Sequence, residues 1–135
     1  MNGQRGDDHR QFVRRFAQRD FEGALDSISV ALQATRARSA GERLAVGVML
    51  LERGSTLHML GRLDEARSEF QRAEKMLDDL TFNAQMATFF FDVAKDPAKG
   101  AAFRDQALTA VNALERARNL DDGEAYYRRK MLSLS

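Results

Sequence analysis

Residues 47–80 read GVMLLERGSTLHMLGRLDEARSEFQRAEKMLDDL, and the fold is decided here. Apolar residues fall at helical spacing on both sides of a single Gly61-Arg62 break. Leu50, Gly54 and Leu57 share one face of a first helix, which Gly61 ends. Leu63, Ala66, Phe70 and Ala73 then line one face of a second helix, at steps of three or four residues. Two helices joined by so short a turn lie antiparallel, and small residues at their crossing let the backbones approach closely.

The same pattern recurs upstream. Ala24, Ile28 and Ala31 match Ala66, Phe70 and Ala73 at an offset of 42 residues, and Phe21 matches Leu63. Residues 8–38 therefore form a second, more divergent repeat, following a tail at 1–6. Its first helix is expected to be capped by Asp7 or Asp8, with Phe12, Phe16 and Val13 on its apolar stripe and Arg14, Arg15 and Arg19 in water. Ser39-Ala40-Gly41 is the link, where Ser39 and Glu42 have capping-box spacing. The helix after it, about 42–60, is expected to bury Leu44, Val48 and Leu51, and a fourth helix covers about 63–79.

Downstream, a fifth helix starts at Thr81 or Asn83 with the stripe Phe82, Met86, Phe89, Phe90 and Val93, and stops at Asp96-Pro97. A sixth runs from Pro97 or Lys99 to about Leu120. Two registers are open for it: Ala107, Val111 and Leu114, or the better-fitting Ala110, Leu114 and Ala117. Asp121 or Asp122 caps a seventh helix over 122–134 that carries Tyr127, Met131 and Leu134.

Composition sets the outer bounds. A chain of 135 residues, 44% hydrophobic and 30% charged, suits a single globular domain with a real core. One proline and nine glycines favour helices. Charge is evenly spread: 7 basic and 5 acidic residues over 1–40 (+2), 6 and 8 over 41–80 (−2), 8 and 7 over 81–135 (+1). No basic face dominates, which disfavours nucleic acid as a partner. With no cysteine there are no disulfides, thiolate zinc sites or cysteine nucleophiles. No apolar run is long enough to span a bilayer and the N-terminus carries no secretory signal, so a cytoplasmic location is the expectation.

The Gly54, Leu57, Gly61, Ala66, Phe70 and Ala73 pattern resembles the tetratricopeptide repeat, whose period is about 34 residues. That resemblance implies an all-α fold of about seven helices. Antiparallel pairs would stack as a short right-handed superhelix over one domain, 1–135, with approximate repeats 8–38, 42–80 and 81–120 and a terminal helix 122–134. It also implies a non-enzymatic adaptor or scaffold that binds another protein, since in this family the first helix of each pair lines a concave groove. Carried onto the best-matching repeat, the groove residues are Val48, Leu51, Ser55, His58 and Met59. Val48 and Ser55 stand where chaperone-binding members place the side chains that clamp a carboxylate, so an apolar helix or peptide is the implied ligand. In size and repeat count the chain is similar to bacterial secretion chaperones and assembly scaffolds. Glu52-Arg53-Gly54, with His58 and Gly61 to Ala66 following, resembles bacterial tetratricopeptide-like lipoproteins, although no cysteine is present for lipid attachment.

No catalytic set, metal site or cofactor motif stands out. His9 and His58 lie far apart in sequence, and neither Glu52 nor Asp64 has metal-ligand spacing with His58. There is no phosphate-binding glycine loop. The acid pairs Asp7-Asp8, Asp78-Asp79 and Asp121-Asp122 read as helix caps. Phe89, Phe90 and Phe91 point in three directions about 100° apart, so Phe91 belongs to a second core contact or a partner surface. Tyr127, Met131 and Leu134 are candidate contacts for a partner or for self-association through the last helix. The arginine clusters Arg14, Arg15, Arg19 and Arg128, Arg129, Lys130 carry a weaker nucleic-acid alternative.

Overall fold

A computed structural model describes the backbone of residues 2–36 and 38–135, with side chains from residue 6 onward. Residues 1 and 37, part of the expected tail and of the expected 8–38 repeat, lie outside the described residues. Among the described residues all regular structure is helical: α1 (Asn2–Ala17), α2 (Phe21–Gln33), α3 (Ala40–Met59), α4 (Leu63–Met76), α5 (Asp79–Asp92), α6 (Pro97–Ala117) and α7 (Asp122–Ser133). Adjacent helices pack as the hairpins α1–α2, α3–α4 and α5–α6. The chain falls into two compact units, Met1–Leu77 and Asp78–Ser135.

Short polar side chains start most of these helices. Asp20 accepts from the Gly23 amide at 3.0 Å, Ser39 from Glu42 at 3.2 Å, Asp78 from Thr81 at 3.5 Å and Asp96 from Lys99 at 3.2 Å. Each fills one of the amide positions that a helix start leaves open. Asp121 builds a full capping box with Glu124, so Asp78 and Asp121 act as the sequence implied. Arg118 and the Asp121 backbone amide both bond to Glu124 and hold its carboxyl down at about 2. Asp7 and Asp8 are not caps. They lie inside α1, which begins at Asn2 where a tail and then a cap were expected, and Arg10 of the same helix bonds to Asp7.

A core cluster of the first unit joins Phe12 of α1, Ala24, Leu25, Ile28 and Ala31 of α2, Met49 and Leu57 of α3, and Ala66 of α4. Small residues place the helices. A methyl group on Gly54 would meet the Phe70 ring at 2.7 Å, so glycine there lets α4 lie directly against α3. Three expectations fail at the rim. Leu44 and Leu63 are half exposed and so is Val13; Leu63 is the first residue of α4, and Leu44 and Val13 lie toward the ends of α3 and α1. Arg15 does not point to water. It donates to the Gly23 carbonyl at 3.1 Å and the Ser27 hydroxyl at 2.8 Å, tying α1 to the first turns of α2.

The second unit packs α5 and α6 against each other and closes them with α7. Its core joins Leu80, Ala84 and Ala87 to Ala107, Val111, Met131 and Leu134. That settles the register of α6: Ala107 and Val111 are wholly buried, and Ala117, which the better-fitting alternative made inward, is exposed. Phe82, Phe89 and Phe90 are buried; Phe103 stacks parallel on Phe90 at 5.7 Å and meets Phe82 edge-on at 6.2 Å. Helix α5 begins at Asp79, earlier than Thr81 or Asn83, and ends at Asp92, before the proline. Pro97 opens α6 as its first residue, in the turn where no intrahelical acceptor waits for its missing donor.

Candidate functional site

An open cleft of about 440 Å³ lies in the first unit. One wall is Gly6 and His9 of α1. The other is a single face of α3, recurring at helical spacing from Gly41 through Leu44, Ala45, Val48 and Met49 to Glu52. The lining is apolar except for one polar pair. His9 Nε2 stands 2.9 Å from Glu52 Oε1 and 3.1 Å from Oε2, a contact between residues 43 apart in sequence. The hydrogen bond to the Glu52 carboxylate, against the partial burial of the ring, raises the His9 imidazole above its ordinary value. The Phe12 ring, 5.8 Å from that of His9, anchors the same turn of α1 to the core.

The sequence-derived groove overlaps this cleft at one residue, Val48. Leu51 and Ser55 are 5% and 4% exposed, and the Ser55 hydroxyl donates to the Leu51 carbonyl at 2.9 Å. Val48, His58 and Met59 are half-buried. The accessible stripe runs through Glu52 instead of Leu51, one residue and therefore about 100° round the helix. Apolarity points to Leu51, and in the folded chain an apolar side chain is the one that gets buried.

The candidate contacts in the second unit are taken up by that unit's own packing. Met131 and Leu134 are buried in its core, and Tyr127 packs against that core while its hydroxyl accepts from Gln85 Nε2 at 3.3 Å. Phe91 lies over Gly100, where a methyl group would meet the ring at 2.7 Å, and the Arg104 guanidinium sits 5.5 Å from the ring centroid. Of the C-terminal basic cluster, Arg128 bonds to Glu115 at 2.7 Å and Asn112 at 3.1 Å, and Lys130 reaches Asp92 at 3.4 Å. In the N-terminal cluster, Arg15 is bonded to α2 and Arg19 lies over the Phe21 ring at 5.2 Å.

A second polar cluster joins three helices of the first unit. The buried Glu69 of α4 accepts from Arg72 at 3.0 Å and lies 3.5 Å from Arg53 of α3, whose Nε donates to Ser29 of α2 at 2.9 Å. Its second oxygen makes an ion pair with Arg53 without a hydrogen bond. Glu69 has no access to the cleft and ties helices together. Among the described residues, no three His, Asp or Glu side chains are grouped so that they could hold a metal ion. No helix among them is long and apolar enough to cross a membrane.

Comparison with known proteins leaves the geometry to speak alone. No family model, no curated protein and no solved structure matches the chain.

Proposed function

We propose that this chain is a non-enzymatic protein-interaction module of tetratricopeptide-like design, which takes an apolar peptide or helix from a partner protein. The observation that carries the reading is the cleft between α1 and α3. These are the first helices of successive hairpins, the helices that line the ligand face in that family. The size of the cleft falls within the ~300–1,000 Å³ of ligand-holding clefts, and its wall is alkyl with one polar pair to orient a guest. The hairpin turns support the same design. A left-handed residue precedes the second helix at Arg19, Gly61 and Lys95, and the last two are 34 residues apart, one repeat length. Buried small residues follow each turn at the same distance: Ala24 and Ala31, Ala66 and Ala73, Gly100 and Ala107.

The test is selection of amphipathic helical peptides from a displayed library on the wild-type chain. Binding is then measured to Leu44→Glu, which charges a half-exposed wall residue, and to Leu132→Glu, which charges an exposed leucine of α7. The reading expects peptides that lose at least tenfold in affinity on Leu44→Glu and nothing on Leu132→Glu. Selected peptides that bind Leu44→Glu and Val48→Glu as well as the wild type overturn it.

A further inference from the structure

We propose that the His9–Glu52 pair is a proton-operated tie that holds the N-terminal half of α1 against α3 and so sets the width of the cleft. Helix α1 packs along α2, and α2 packs on α3. Contact between α1 and α3 is sparse by comparison, resting on Phe12 in the core and on His9 at the cleft. Gly6, one turn before His9, brings no side chain to the wall, so His9 is the first described side chain of α1 to grip α3 there. With the ring protonated the contact is an ion pair with both carboxylate oxygens in reach. With the ring neutral it falls to a single ordinary hydrogen bond.

The charged groups around the ring are few. Glu52 meets it from α3; Asp7, Asp8 and Arg10 flank it on α1, with Arg10 bonded to Asp7; and among the described residues no charged side chain of α2 acts on it. The sign follows from the direction of the His9 shift. A histidine raised in the folded state contributes stability that is complete below its unfolded value, about 6.5, and lost as pH rises through the higher folded value. The tie therefore slackens above about pH 6.5, and the cleft widens on the alkaline side.

The control of ligand access rests on the cleft being the binding site, but the tie itself does not, and the experiment is done with no ligand present. Amide hydrogen exchange, corrected for its intrinsic pH dependence, is followed across residues 6–16 between pH 5.5 and 8.5. Wild type is compared with His9→Gln, Glu52→Gln and His58→Gln; the chain has two histidines, so the last variant isolates the first. Expected is a loss of protection in α1 of roughly two- to fivefold with rising pH in the wild type and in His58→Gln, the size of a partly exposed ion pair. His9→Gln and Glu52→Gln are expected to show a flat, low profile, while α5 and α6 stay constant throughout. An unchanged pH profile in His9→Gln, or α1 protection that ignores pH in the wild type, overturns the tie. If the tie fails while selected peptides still depend on Leu44, the binding reading stands and only its control by protons falls.

Discussion

The two hairpins of the first unit are the same object built twice, 42 residues apart, and they differ in instructive ways. In the first, Asp20 NH donates to the Arg15 carbonyl at 2.8 Å and Arg19 NH to Phe16 at 3.0 Å. In the second, Arg62 NH donates to Leu57 at 2.9 Å and Gly61 NH to His58 at 3.0 Å. The backbone before the second helix has φ and ψ of −84° and 77° at Asp20, and −86° and 69° at Arg62. Yet the first turn places an arginine in the left-handed conformation, at φ 60°, and has a good N-cap. The second has glycine there, at φ 79°, and a cap residue whose side chain accepts no bond from the helix amides. Each turn is good where the other is poor. Their shared geometry comes from the packing of the helices they join, since the turn residues themselves disagree.

The helix crossings differ in the same compensating way. Phe12 in the first hairpin occupies the place of Gly54 in the second, and Ile28 the place of Phe70. Bulk is moved from one helix to the other while the small residues Ala24, Ala31, Ala66 and Ala73 stay buried. A buried polar group also recurs: Ser27, held by Arg15, corresponds to Glu69, held by Arg53 and Arg72. Both hairpins thus set an arginine of the first helix against a polar group of the second, by a hydrogen bond in the first and an ion pair in the second.

Exchanging these features tests how far the equivalence goes. The largest effect is expected from Gly54→Phe, which copies Phe12 into the second hairpin and drives a side chain into the Phe70 ring: a loss of about 3 kcal/mol in thermal or denaturant unfolding. Adding Phe70→Ile, the first hairpin's own solution, is expected to restore more than half of it; no recovery would mean the two crossings are not equivalent. Glu69→Ala comes next, at about 2 kcal/mol, since it strips the partly buried Arg53 of its counter-charge; urea midpoints read it. Gly61→Arg, the first turn's residue in the second, is expected to cost about 1–2 kcal/mol for the left-handed backbone alone, because nothing crowds the added side chain. The smallest is a gain. Arg62→Asp gives α4 the cap that α2 has and is expected to add ~0.5–1 kcal/mol, after loss of the exposed Arg62–Glu65 pair. A fall in the melting temperature would show that the pair matters more than the cap.

Local signals in the chain were readable where one residue type has one physical use. Gly61 as a helix stop, Ser39, Asp78 and Asp121 as caps, and the alanines of the crossings are all where their chemistry demands. The 42-residue offset carried the first hairpin through on the strength of Ala24, Ile28 and Ala31. What could not be read is what depends on a neighbour. Leu51 and Leu44 look alike in sequence, yet one is buried and the other half exposed, because burial depends on which face another helix covers. Arg15 looks like a solvated charge until α2 brings Ser27 to it. The cleft's polar pair was hidden for the same reason: Glu52 is sequence-near to His58, and only the packing of α1 beside α3 brings it to His9.

The preference of these helices for their neighbours in sequence also bears on how the chain is made. Among the described residues the dense packing joins helices adjacent in the chain, with α5 and α7 the exception. Such local contacts belong to proteins that fold in about microseconds to milliseconds. Once residue 77 has been added to the growing chain, synthesis of residues 78–135 takes about 3–12 seconds at ~5–20 residues per second. The first unit, with a core cluster drawn from α1 to α4, therefore has time to fold many times over before the second is complete.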